Sequence, residues 1–436
     1  MKIWEKIIRF GLIFLVLLSL YFSVNIWISP SKKGQALKND SQVDTTVVNE
    51  RMDTDVFLPL SLVRMQDGKA EINNSENLIS NIQNEIKQSD FDPLTQVVNE
   101  NPEQFEKYLS MERGFELIYE GPLLLSEYND IYHLNLTLSS ELTNKEISIT
   151  CIQVDLVNNK LRFLDFEHKN IYETAISIDI EKVYNFMNKV GTQYNQIYDK
   201  QVLSNQHYYL TDELKMKKYS YILASQPVTK FRTAFFSNTK NVQTNEDSRD
   251  LSYSNGNERL TVNDELKTVR FNGSLENRKQ TATIYSDSFN YIKKLGTSMG
   301  NLRYFDRTET EINYRTFVEG YPVFSENDKG QVSVTISDDK AKMASVSIKT
   351  SVDTIQVPIP SEEEVTLAST ENVLDQLVLS GADESKIDSM VIGYTWQKIE
   401  ETTQVVDLTP EWYIRYEGKW YPERELLEKL ANLEVE

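Results

Sequence analysis

The stretch TEINYRTFVE, Thr310–Glu319, is typical of a β-strand, and it follows a segment in which Phe289, Ile292 and Leu295 have helical spacing. More strands are predicted after it, with one helix between the last two: Val332–Ile336, Met343–Ile348, helix Glu371–Leu379 and Asp388–Ile399. Strands and helices mix here without a regular strand–helix–strand alternation. The pattern therefore predicts an α+β fold with antiparallel sheets, in a C-terminal domain at 279–436.

Upstream, residues 54–200 have the pattern of a second α+β domain. Asp67-Gly68 favours a tight hairpin turn, and Asn101-Pro102 is a typical helix start with proline at the first helical position. Apolar spacing over Glu181–Tyr198 predicts a closing helix. The domain is therefore predicted to contain a hairpin, helices and several alternating strands.

Between these two regions, residues 201–278 are predicted to form a small β-rich domain. Tyr219–Leu223 and Thr229–Phe236 have strand composition, and Asn255-Gly256 is a turn signal between short alternating runs. Together the three segments predict about three mixed antiparallel-sheet and helix domains.

The composition excludes several classes of protein. Of 436 residues, 46 are Lys or Arg and 66 are Asp or Glu, which gives a net charge of −20. Such a chain is poorly suited to binding nucleic acid, which depends on clustered basic residues. One cysteine excludes an internal disulfide framework, and three histidines argue against a histidine-rich metal site. A mean hydropathy of −0.46 excludes a protein with many membrane spans.

The N-terminus is predicted to be a membrane anchor. The basic tail 1–9 precedes an uncharged run at 10–28, about 19 residues or roughly 28 Å as a helix, which matches a bilayer core. A cleaved signal peptide is the alternative, but bulky residues stand where cleavage needs small ones. We expect a cytoplasmic tail, a transmembrane helix at 10–28, a polar linker at 29–53 and an extracytoplasmic remainder.

Three polar residues in the predicted anchor are candidates for contact with a partner helix. Ser19 and Ser23 are four residues apart, a small-xxx-small spacing that allows two membrane helices to approach closely. Asn25 supplies an amide near the outer end. The alternative is that serine is tolerated in membrane helices and that Asn25 lies at the water interface.

Candidate catalytic motifs have ordinary structural explanations. Gly296–Gly300 (GTSMG) matches the nucleophile elbow, but the segment before it has helical spacing, so Gly296 is predicted to end a helix. The histidines, His133, His168 and His207, all precede Ser298, contrary to the order in that hydrolase fold. Cys151 is predicted to lie within a strand and to act there as an ordinary small side chain, not as a nucleophile. We expect no catalytic residues, no cofactor-binding residues and no metal site.

Four segments resemble the YycH family. They are the anchor LLSLYFSVNIW at 17–27, YRTFVEGYPVF at 314–324, VIGY at 391–394 and LTPEWYI at 408–414. The companion YycI family shares the pattern of the last two. The resemblance covers the layout of the whole chain, and local similarity is strongest in the anchor and over 310–416.

The resemblance implies a regulator of the WalK/YycG sensor histidine kinase of low-GC Gram-positive bacteria. That kinase controls cell-wall metabolism, and the family members act on it together with YycI, with their membrane helices implicated in the contact. We expect restraint of the kinase. Tyr314 and Tyr394 are candidates for contact with YycI, or alternatively for the core of the C-terminal domain.

Other functional classes remain open at this point. A surface-anchored enzyme, or a protein that binds cell-wall polymer, is the main alternative. A passive scaffold or chaperone for an exported protein is a third possibility.

Overall fold

The computed structural model describes residues 50–433, apart from 67, 144, 200–207, 247–249, 276–277, 279–280, 338–343 and 400–401. The described residues belong to one compact unit. Within these ranges no helix has the length and apolarity needed to cross a bilayer. The predicted span at 10–28 lies outside the described residues.

The helices and strands are numbered in chain order. The helices are α1 Asp53–Val56, α2 Glu76–Lys87, α3 Pro102–Leu109, α4 Leu125–Tyr132, α5 Ile180–Met187, α6 Val228–Phe235, α7 Ile284–Leu295, α8 Thr370–Leu379 and α9 Glu423–Leu433. The first strands are β1 Ser61–Gln66, β2 Lys69–Asn73, β3 Asp90–Phe91, β4 Thr95–Val98, β5 Arg113–Leu124, β6 Ser148–Asp155, β7 Lys160–Asp165, β8 Asn170–Ser177, β9 Asn195–Asp199 and β10 Tyr208–Leu210. The later strands are β11 Leu214–Lys217, β12 Tyr219–Ser225, β13 Gln243–Glu246, β14 Asp250–Asn255, β15 Glu258–Asn263, β16 Thr268–Ser274, β17 Leu302–Arg307, β18 Glu311–Val318, β19 Tyr321–Phe324, β20 Gln331–Ser337, β21 Ser345–Ser351, β22 Asp353–Ile359, β23 Glu364–Leu367, β24 Ile387–Ile399, β25 Thr402–Tyr416 and β26 Lys419–Pro422.

The N-terminal sheet has the order β10-β9-β2-β1-β5-β6-β7-β8-β3, with β4 also paired to β8. The β1–β2 hairpin confirms the predicted tight turn, because Gln66 pairs with Lys69 and Gly68 has a φ of 75°. β5 lies between β1 and β6, and its pairing with β6 is interrupted by a bulge between Ile118 and Leu123. A bulge bends the strand and leaves residues without ladder partners.

The C-terminal sheet has the order β13-β14-β15-β16-β21-β20-β18-β19-β24-β25-β12-β22, with β17 on β18 and β26 on β25. Its named strand pairs are antiparallel except β19 with β24, and β11 and β23 form a separate two-stranded sheet. The antiparallel α+β prediction is therefore confirmed. Strands from 201–278 and from 279–436 share this sheet, and the boundaries predicted for three domains remain a prediction.

Two elements differ from the sequence prediction. Thr229–Phe236 was predicted as a strand, but it lies in helix α6, where Phe231, Ala234 and Phe235 are buried on one face. The predicted helix Glu181–Tyr198 ends at Met187, and its last residues belong to β9. In both cases packing against the rest of the fold overrides the local pattern.

Helix ends follow the predicted signals more closely. Asn101 caps α3 by accepting a hydrogen bond from the Gln104 amide at 3.0 Å, with Pro102 at the first helical position. Helix α7 ends at Gly296, which has a φ of 67°, as the sequence predicts. These local interactions need no tertiary partner, which explains why the sequence reveals them.

A buried arginine joins the two large sheets. Arg303 of β17 is 1% exposed, and its guanidinium donates to the carbonyl oxygens of Leu58 at 3.1 Å and Pro59 at 2.6 Å. It also forms an ion pair with Glu76 of α2 at 3.0 Å and lies over the Phe317 ring, 4.2 Å from its centroid. Because these partners come from both halves of the chain, Arg303 fixes the N-terminal sheet against the C-terminal one.

Two glycines allow the backbones of the two sheets to meet. Gly320, in the β18–β19 turn, has a φ of 82°, and a Cβ atom there would overlap the carbonyl oxygen of Asn74. At Gly121, in the bulged part of β5, a Cβ atom would lie 2.6 Å from the Cα atom of Asp306. Side chains larger than hydrogen therefore do not fit at either contact.

Candidate functional site

The predicted contact residues fall in two places. Ser19, Ser23 and Asn25 lie outside the described residues, so their role stays a prediction. Tyr314 is fully buried and its hydroxyl lies 2.6 Å from Ser288 Oγ, while Tyr394 is 1% exposed and donates to the Lys217 carbonyl oxygen at 3.2 Å. Both rings thus lie in the core, as the alternative interpretation of Tyr314 and Tyr394 as core residues expects. Their burial does not favour a direct contact with YycI, and that contact stays a prediction.

The sequence GTSMG has the predicted structural setting. Thr297–Met299 forms a 3₁₀ turn directly after helix α7. The Ser298 carbonyl oxygen accepts hydrogen bonds from Gln226 at 3.2 Å and Gln356 at 3.0 Å. Ser298 therefore follows a helix end where a nucleophile elbow requires a strand end, and its backbone stabilises a turn.

Cys151 and His168, the other residue types that could act as a nucleophile or a metal ligand, have ordinary structural surroundings. Cys151 is buried in β6, and burial raises the pKa of its thiol well above the ordinary value, so it stays protonated. His168 Nδ1 lies 2.9 Å from Asp165 Oδ2, and this hydrogen bond raises the pKa of His168. Within the described ranges, no group of three or more His, Cys, Asp or Glu side chains could hold a metal ion.

A cavity of about 120 Å³ lies between the two large sheets. The N-terminal sheet contributes Ile118 and Glu120 of β5 and Thr150 of β6, and the C-terminal sheet contributes Ser389 and Ile392 of β24. The lining is mainly apolar. Such a pocket at a junction between structural units, with a few polar groups in it, is a typical place for a ligand.

Glu120 is the unusual residue of this cavity. It lies in the bulged part of β5, and its Oε1 atom is shielded from solvent with no hydrogen-bond partner in the structure. Burial raises the pKa of the Glu120 carboxyl to about 7, and Asp306 and Asp388 act in the same direction. A hydrogen bond from Ser389 and the charge of Arg415 oppose the shift. The group can therefore change its charge near neutral pH.

Replacing Glu120 with glutamine is expected to remove a pH dependence of stability. Because the pKa is higher in the folded protein than the ordinary 4.5, the carboxyl contributes full stability below about pH 4.5 and loses it as the pH rises towards 7. The loss at pH 8 is about 3 kcal/mol. The measurement is the free energy of urea unfolding of Glu120→Gln and of wild type at pH 5 and pH 8. The stability of the variant relative to wild type should be higher at pH 8 than at pH 5. Glu362→Gln, at a side chain 95% exposed, is the control, and equal pH profiles for all three proteins would contradict the expectation.

Comparison with known proteins decides the family. A family model described as YycH protein, C-terminal domain, matches residues 204–429, which is more than half of the chain. The chain belongs to the YycH family. The crystal structure of YycH from Bacillus subtilis resembles the described fold with a TM-score of 0.68 and 14% sequence identity, over 86% of this chain and 98% of that one. At this identity the likeness to the Bacillus protein concerns the fold, and a sequence comparison with curated proteins gives no match.

Membership of the YycH family confirms the resemblance carried by the segments at 314–324, 391–394 and 408–414, which lie within the matched range. In the structure these segments are strands β18, β19, β24 and β25, and they pair with one another around the Tyr394 core. The segments that resemble the YycH family therefore form the central strands of the C-terminal sheet of this protein.

Proposed function

We propose that this protein is a membrane-anchored extracytoplasmic regulator of a sensor histidine kinase of the WalK/YycG type, acting with a YycI partner on cell-wall metabolism and restraining the kinase. The observation that supports this best is the family match over 204–429, together with a fold like that of YycH over most of the chain. The anchor predicted at 10–28 would place the protein beside the kinase in the membrane.

The physical basis is a shift between two signalling states of the kinase. A partner changes the balance only if it binds the two states with different affinity. A difference of about 1.4 kcal/mol changes the ratio of the states tenfold. Packing between membrane helices, with interhelical hydrogen bonds averaging about 0.6 kcal/mol each, is sufficient for an effect of this size when several contacts act together.

Close packing between the two large sheets supports this role. The two large sheets are joined by Arg303, by the backbone contacts at Gly121 and Gly320, and by a hydrophobic core shared by residues from 56 to 352. Packed side chains and hydrogen-bond networks can transmit the effect of a contact at one surface to a distant attachment point. An extracytoplasmic partner could thus influence the anchor.

A double variant, Ser19→Leu with Ser23→Leu, is expected to weaken regulation strongly, and Asn25→Leu alone to weaken it partially. The two leucines prevent close approach of a partner helix, whereas the loss of Asn25 removes hydrogen bonds worth about 0.6 kcal/mol, up to about 1.7. The measurement is transcription of a kinase-controlled gene, with the amount of protein at the cell surface determined in parallel.

The matched control is Leu17→Ile with Tyr21→Phe. These positions are also four apart, and in the predicted helix they lie on the opposite side from Ser19 and Ser23 at about 100° per residue. Normal regulation by the control and altered regulation by the serine variant would support the contact. Normal regulation by a protein with an unrelated membrane helix would show that the serine face is irrelevant.

A further inference from the structure

The described lining of the cavity between the sheets has a one-sided charge. It includes the carboxyl groups of Glu116 and Glu120, and among the described residues that line it there is no Lys, Arg or His. Glu116 accepts a hydrogen bond from Gln153 Nε2 at 2.8 Å, and Gln153 in turn accepts one from Arg162 at 2.8 Å. Glu116 is therefore already engaged within the N-terminal sheet.

Glu120 is the acceptor that remains for a ligand. Its Oε1 atom is buried and unpartnered, and so is the Oγ1 atom of Thr150, another residue of the lining. Thr150 stands opposite the β5 bulge, because Cys151 pairs with Ile118 and Ile149 pairs with Leu123 on either side of it. The bulged part of β5 and the β6 residue opposite it thus each contribute one unpartnered oxygen to the lining of the cavity. A buried acceptor without a partner is unfavourable, and a donor group on a ligand would offset that cost.

The size of the cavity limits what can enter. A cavity of about 150 Å³ holds benzene, so the 120 Å³ available here suits a ligand with a body of about four or five carbon atoms. Ile118 and Ile392 line the cavity and provide apolar contacts from the two sheets. An ammonium group has three N–H donors and a positive charge, which matches the carboxylate oxygen of Glu120 and the hydroxyl oxygen of Thr150.

We propose that the cavity between the two sheets binds a small organic ammonium ion, with the ammonium group at Glu120 and Thr150 and a short aliphatic body between Ile118 and Ile392. The ligand would contact both sheets, so binding stabilises their junction. Binding at this cavity does not depend on the proposed kinase role, and it is measured without the kinase.

The test uses full-length protein and n-butylammonium as the probe, with n-butanol and butyrate as neutral and anionic molecules of similar size. Calorimetric titration at pH 8 should show saturable binding of n-butylammonium and binding at least tenfold weaker for the other two. Since the pKa of Glu120 is about 7, n-butylammonium should bind about tenfold more weakly at pH 6 than at pH 8.

Variants locate the binding. Glu120→Gln should weaken n-butylammonium binding at least tenfold at pH 8, and Thr150→Val, which keeps the side-chain shape, should weaken it severalfold. Glu362→Gln, at an exposed carboxylate, should bind like wild type. Absence of saturable binding, equal affinity for n-butanol, or unchanged binding by Glu120→Gln would each overturn the proposal. If a variant fails to fold, the affinity of wild-type protein for n-butylammonium at pH 6 and pH 8 tests the role of Glu120 instead, and equal affinities would overturn the proposal.

Discussion

Gly320→Ala is expected to lower the free energy of unfolding by about 3 kcal/mol, because the new methyl group would overlap the Asn74 carbonyl oxygen. The overlap is with backbone, so no side-chain rotation relieves it, and the β18–β19 turn must move away from the N-terminal sheet. Urea denaturation of the full-length protein measures the change. The same variant should also increase hydrogen exchange of the amides around Asn74 and Gly320.

Gly418→Ala separates this overlap from the cost of the backbone conformation. Gly418 has a φ of 74°, close to that of Gly320, and nothing lies within 4 Å of a Cβ atom built there. Its replacement should cost about 1 kcal/mol, which reflects conformation alone. If both variants lost the same stability, the close approach between Gly320 and Asn74 would not exist in solution.

Arg303→Ala is expected to lower the free energy of unfolding by about 3–5 kcal/mol. Its removal leaves the carbonyl oxygens of Leu58 and Pro59 without their donor in a buried place, deprives Glu76 of its ion pair, and opens a space over Phe317. Chemical denaturation monitored by tryptophan fluorescence measures the loss.

Arg424→Ala is the matched control for Arg303→Ala. The Arg424 side chain is 70% exposed and lies 3.6 Å from Glu411, so its ion pair is screened by water. Its loss should cost less than about 1 kcal/mol. Arg303→Met should recover part of the packing over Phe317 but none of the hydrogen bonds. A loss below about 1 kcal/mol for Arg303→Ala would contradict the assigned role at the junction.

The parts of the fold that the sequence predicts are those that depend on neighbouring residues. The Asn101 cap, the Gly68 turn and the Gly296 helix end each arise within a few residues, and so does the alternation in β6 around Cys151. By contrast, α6 has strand-like composition, and its helix is stabilised by burial of Phe231 and Phe235 against distant residues. Interactions between sequence-distant segments cannot be read from a local pattern.

The candidate site was missing from the sequence prediction for the same reason. Glu120 stands in a mostly apolar strand and precedes Gly121-Pro122, and a glycine and a proline inside a strand are signals of a bulge. Nothing nearby indicates that Thr150 and Ser389 approach it. Arg303 likewise has the sequence context of an ordinary strand residue, and only the assembled sheets show its partners.

The position of β12 has a consequence for how the chain is made. This strand lies between β22 and β25, and Ser220 bonds to Asp407, a residue 187 positions further along the chain. The C-terminal sheet therefore cannot be completed until almost the whole polypeptide has been synthesised. Contacts between such distant residues slow folding, and until β25 has been made the edge of β12 that pairs with it is available for incorrect pairing with other chains. A chain terminated before β25 would expose this edge permanently, so premature termination should produce aggregation before it produces a smaller folded protein.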